Sequence, residues 1–165
     1  MRHVVFLFLS AFLLVSCSTS TQKIRLCPQV ASIRQLDTIE DHGRDPIAPD
    51  TLIALAKMER IEGGCDYDDD GVDVHFDLHI LGTKGPRLGG DRVSFPYFVS
   101  LVAPTGEVIS KEIMSVEFDF MDGQHENSKV ELMHVFIPLE KKESAEKYRI
   151  LLGFQLTPEQ LEAKK

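Results

Sequence analysis

From about residue 50 onward the chain alternates apolar and polar residues with period two, the pattern of extended strands with one buried and one wet face. The clearest run is Val72, Val74, Phe76, Leu78 and Ile80, interleaved with Asp73, His75, Asp77 and His79. Val116, Phe118 and Phe120 alternate with Glu117 and Asp119 in the same manner. Phe95 to Ala103 is apolar at both parities, as a strand covered on both faces would be. Such a chain must bury one face of several strands, which a two-layer sandwich or a barrel does and a helical bundle does not.

Turn residues punctuate these runs. Gly82 to Gly90 holds four glycines and Pro86 and reads as a loop. Pro104-Thr105-Gly106 is a tight turn, which makes Phe95–Ala103 and Glu107–Ile113 a hairpin. Asp122-Gly123 opens another loop before a strand at Val130–Ile137, and Tyr148–Leu156 is the last strand. Thr157-Pro158-Glu159-Gln160 starts a short C-terminal helix, with Thr157 as N-cap and Pro158 at its first position. Ile53–Ile61 reads as a strand cut short by Gly63-Gly64, although Ala54 to Glu59 are good helix formers. Val30–Arg34 is a weaker strand, and Asp37–Asp50 reads as polar loop. These add up to an all-β domain: an antiparallel, immunoglobulin-like sandwich of about seven or eight strands, with a small barrel as the alternative.

Residues 1–16 are read as a leader outside that fold. Arg2 and His3 form a short basic start, and Val4 to Val15 is an apolar core broken by Ser10. That core fits a signal peptide and is shorter than the roughly 20 residues a spanning helix needs. It closes on Leu14-Val15-Ser16-Cys17, which resembles the bacterial lipobox. The resemblance implies cleavage before Cys17, diacylation of its sulfur and acyl anchoring in an envelope membrane. More than one acyl chain on a residue anchors stably, whereas a single chain binds marginally. In lipoprotein sorting an Asp after the Cys retains the protein at the inner membrane, so Ser18 points to the outer membrane. Residues 17–26 then form the lipidated Cys and a flexible polar tether, and 27–165 the single domain.

The net charge is −8, and loss of the leader would remove one further cation, Arg2. Without a basic cluster to neutralise phosphates, nucleic-acid binding is excluded as a function class. Anionic lipid would also repel the domain, leaving membrane contact to the acyl anchor. With Cys17 lipidated, Cys27 and Cys65 are an even pair in an oxidising compartment, where a disulfide is the expected state. The pair lacks C-x-x-C spacing and reads as structural, tying the N-terminal segment to the core.

Asp66-Tyr67-Asp68-Asp69-Asp70-Gly71 carries D-x-D-x-D-G, the opening of a calcium loop. Asp77 falls where such a loop places its closing acid. In an extended Val72–Ile80, however, it would lie about 20 Å beyond Gly71. An acidic hairpin turn is therefore the preferred reading, and calcium held by Asp66, Asp68 and Asp70 the alternative. His75, Asp77 and His79 share a strand face, but the two histidines are roughly 13 Å apart, too far for one zinc. Only an adjacent pair joined by a residue such as His134 would serve, and a solvated face is the simpler reading. There is no G-x-S-x-G, H-E-x-x-H, Walker loop or nucleotide fingerprint, so no catalytic residue is assigned.

Phe95-Pro96-Tyr97-Phe98-Val99 and Gly153-Phe154-Gln155-Leu156-Thr157-Pro158-Glu159-Gln160-Leu161 are the most distinctive segments. They read first as core and second as an apolar edge that docks a partner by strand addition. With the lipobox, Cys27-Pro28 and Cys65-Asp66-Tyr67, they resemble a family of small envelope lipoproteins of alphaproteobacteria over most of residues 27–161. The resemblance implies an outer-membrane lipoprotein facing the periplasm, and it carries no activity or catalytic residues. The Asp68–Asp70 run and the His75/His79 pair lie outside its pattern. The resulting expectation is a non-enzymatic envelope protein that binds an envelope protein partner. A calcium-binding domain and, last, an enzyme on envelope polymers are the alternatives.

Overall fold

The computed structural model describes residues 25–45, 47–140 and 144–164. Residues 1–24, with the segments read as leader and tether and with Cys17 and Ser18, lie outside the described residues. Eight strands follow one another: β1 (Gln29–Ser32), β2 (Thr38–Asp41), β3 (Ala54–Tyr67), β4 (Gly71–Lys84), β5 (Arg92–Val102), β6 (Val108–Asp119), β7 (Glu126–Pro138) and β8 (Arg149–Phe154). A short helix, α1 (Pro158–Glu162), closes the fold. The strands form two four-stranded sheets, ordered β1-β8-β5-β6 and β2-β3-β4-β7. These pack as the predicted β-sandwich and do not close into a barrel.

Alternation does what it should in β4, where Val72, Val74, Phe76, Leu78 and Ile80 are at most 2 % exposed. They meet Phe95, Tyr97, Val116, Phe118, Phe120, Ile150, Leu152 and Phe154 from the other sheet. Phe95 stands edge-on to both Phe118 and Phe154, at centroid distances of 6.4 and 6.3 Å. Each fully buried side chain of this size contributes roughly 1.5–3 kcal/mol. Lining this core, β5 lies between β8 and β6. On its outer face Phe98 is covered by the Lys111 ammonium, 4.2 Å above the ring.

Several expected boundaries move. β3 runs through Gly63-Gly64 to Tyr67 because the missing side chain at Gly63 lets β4 pass close by: a Cβ there would lie 2.2 Å from the His75 carbonyl oxygen. Asp37–Asp50 is not all loop: Thr38–Asp41 pairs with Ala54–Lys57, and Ile39 is buried. One apolar residue is too little alternation to read. The runs read as Glu107–Ile113 and Val116–Phe120 merge into one strand, β6, over Val108–Asp119. β1 runs parallel to β8, from Gln29↔Arg149 to Ser32↔Leu152, so one sheet is mixed. That pairing joins the two ends of the domain, with nearly the whole chain as its crossover.

Cys27 and Cys65 are bonded, 38 residues apart in sequence. Cys27 precedes β1 of one sheet and Cys65 lies on β3 of the other, so the bond ties the two layers together. Beside it the Tyr67 hydroxyl donates to the Leu26 carbonyl (2.7 Å) and accepts from the Ala145 amide (2.9 Å). At the opposite end Thr157 caps α1 as predicted: its hydroxyl accepts from the Gln160 amide, and the Gln160 side chain accepts from the Thr157 amide.

Candidate functional site

The acidic segment forms the β3–β4 hairpin turn. The Asp68 carboxylate accepts from the amides of Asp70 (2.9 Å) and Gly71 (2.7 Å), a local tie that shapes the turn. Asp66 remains on β3, opposite Asp73, with its carboxylate 3.6 Å from His75 Nδ1. The three acids therefore do not converge on one point. Among the described residues no group of three His, Cys, Asp or Glu side chains is gathered as a metal site would need.

β4 and β7 bring His75 and His134 into register, with ring centroids 6.4 Å apart. The His75 ring leans the other way, over Gly64 of β3, where a Cβ would be 3.4 Å from its Nε2. His79 stands beside Arg60 and Glu62. These side chains form a charged, solvated sheet face.

A half-open cleft of about 650 Å³ separates the segment after β2 from α1. His42, 9 % exposed, is the one buried imidazole in its wall, bonded to Thr51 (3.0 Å) and Glu40 (3.1 Å). Of its acids, Asp45 pairs with Arg87, and Asp41 accepts from the Gly43 amide. The lining contains no serine or cysteine to act as a nucleophile.

The most distinctive surface is the side of the sandwich where both sheets end, on β6 and on β7. The two segments proposed from sequence as docking edges are not there. β5 and β8 are interior strands, and Phe95, Tyr97, Phe98, Val99 and Phe154 are all buried. Of the ten exposed large hydrophobic side chains among the described residues, six lie on β6 and β7: Val108, Ile109, Ile113, Val130, Leu132 and Phe136. A seventh, Met121, is in the loop joining these strands. Leu132 is 74 % exposed.

The joined ends of β6 and β7 are held by the Asn127 side chain, which donates to the Asp119 carbonyl at 2.6 Å. Further along, the seam between them opens into a cavity of about 150 Å³ lined by Val99, Leu101, Met114, Met133 and Val135, with Glu112 among its polar residues. Near it the buried Tyr97 hydroxyl donates to Glu131 (3.3 Å) and lies 3.9 Å from the sulfurs of Met114 and Met133. Burial, and secondarily the Glu131 charge, pushes the Tyr97 phenol well above its ordinary value. The sequence did hold a sign of this surface. Val130–Ile137 is apolar at both parities, which reads as a central strand, yet the topology puts it at an edge. No family model, curated protein or solved structure matches the chain.

Proposed function

We propose that this chain is an outer-membrane lipoprotein, anchored through acylated Cys17 and facing the periplasm, that works by binding another envelope protein along the β6–β7 side. The observation that carries the reading is the long strand β7, an edge among the described residues, bearing Val130, Leu132 and Phe136 in the open. Soluble proteins ordinarily blunt such an edge with prolines, charges or a covering element, and exposed apolar clusters mark contact sites. Here the only proline of β7 is its last residue, Pro138. A calcium module at Asp66, Asp68 and Asp70 has less support, because Asp68 is occupied in shaping its own turn. Catalysis has less still, because the cleft between the segment after β2 and α1 is lined by no serine or cysteine.

The test is site-specific photocrosslinking in intact cells, with the probe at Leu132 and a control probe at Arg34. A discrete, reproducible protein adduct from Leu132 alone is expected. Equal adducts from both positions, or none from either, would refute the docking side. Metabolic labelling with a fatty acid tests the anchor separately: the label should be incorporated and should vanish in Cys17→Ser.

A further inference from the structure

We infer that the β6–β7 seam receives one extended segment of the partner, bearing an aliphatic residue for the cavity and, two positions along on the same face, a lysine or arginine for Glu112. This rests on the docking reading above and names the chemistry of the occupant. The cavity of about 150 Å³ is on the scale of an engineered apolar cavity that takes a benzene ring, hence one aliphatic or small aromatic side chain. Its walls include Met114 and Met133, whose thioethers adapt to more than one shape.

An inserted strand has backbone partners available. Among the described residues β7 is paired on one side, with β4, and offers the other along Glu126–Pro138. Strand addition of this kind takes affinity from the main chain and specificity from alternate side chains.

Charge decides between candidate occupants. Glu112 lines the cavity, and Glu131 lies on the adjoining stretch of β7 with its carboxylate bonded to Tyr97. Lys111, next to Glu112, is turned to the outer face, over Phe98 and bonded to Gln155 (2.9 Å). A second copy seated on the same seam would set these carboxylates against their own equivalents, in a chain of net charge −8. Such like-charge juxtaposition disfavours a homodimer and favours a cationic segment.

The experiment uses the full lipidated chain in detergent and three synthetic peptides the length of β7. All share a serine/threonine outer face, and on the cavity-facing positions leucine alternates with lysine, serine or glutamate. The lysine peptide should bind most tightly and slow amide exchange along Glu126–Pro138. Glu112→Gln should weaken it about fivefold, the scale of one partly exposed charge pair, with thermal unfolding unchanged. Equal affinity for the glutamate peptide, or no effect of Glu112→Gln, overturns the charge assignment. Failure of every peptide to protect β7 overturns strand insertion, as would self-association of the chain through this seam. If the Leu132 crosslink in cells survives such a failure, the docking reading stands and only this refinement falls; if it is lost too, both fall.

Discussion

A methyl group at Gly63 would lie 2.2 Å from the His75 carbonyl oxygen and 2.6 Å from Phe76 Cα, both backbone atoms that cannot yield cheaply. At Gly64 the nearest atom is the His75 imidazole at 3.4 Å, an ordinary contact. Gly63→Ala should therefore destabilise by about 1–3 kcal/mol, while Gly64→Ala stays within about 0.5 kcal/mol. Urea midpoints of the two variants provide the comparison. From sequence this Gly-Gly pair reads as a strand end, since nothing local distinguishes a glycine that breaks pairing from one that permits it. Tyr97 gives a second residue-level test. Its phenol stays protonated in the fold above the ordinary value of 10.0, where the unfolded chain begins to lose its proton. The unfolded state then binds fewer protons, so the stability this group contributes is intact below pH 10 and falls as pH rises beyond it. Tyr97→Phe should cost about 0.5–1.5 kcal/mol at neutral pH for the lost hydrogen bond. It should also flatten the alkaline decline, as urea midpoints on either side of pH 10 would show.

Among the elements, β1 depends most on a covalent constraint. It has four residues and a single neighbour, β8, too few hydrogen bonds to hold a chain end unaided. Reduction, or Cys65→Ser, should lower stability by about 4 kcal/mol in the chain-entropy account of a 38-residue closure. Amide exchange along Gln29–Ser32 should then rise before that of β4. Guanidinium unfolding with and without reductant measures the first effect and exchange mass spectrometry the second. The elements legible in sequence share one property, a long run with a single clean parity or a defined cap. That describes β4 and the Thr157–Gln160 box of α1. β2 was hidden because Ile39 is its only apolar residue, whereas β7 was legible as a strand but not as an edge, because both its faces carry apolar residues.

On the scale of the whole molecule, alternation fixes which face of a strand is buried and leaves its neighbours open. The sandwich could thus be read from sequence, whereas the placing of β6 and β7 side by side at its edge could not, although the two-faced apolar pattern of Val130–Ile137 was visible. The seam exists only because two strands far from the chain ends terminate their sheets on the same side. Since Leu132 is 74 % exposed, Leu132→Lys should change folding stability by less than about 0.5 kcal/mol while abolishing partner capture in cells. A loss of stability matching the loss of capture would mark Leu132 as core. The disulfide has a further, mechanical consequence for a domain held at its N-terminus. Under the proposed anchoring through Cys17, tension would reach the fold near Cys27 and pass through a covalent bond into β3. From there it would spread across the β3–β4–β7 ladders to the edge at which the proposed partner docks. The load path bypasses β1, and the intervening polypeptide hangs slack as a strand of rope does beside a knot. Cutting that one bond would reroute the pull through four residue pairs of β1 and β8, turning the strongest attachment in the domain into its weakest.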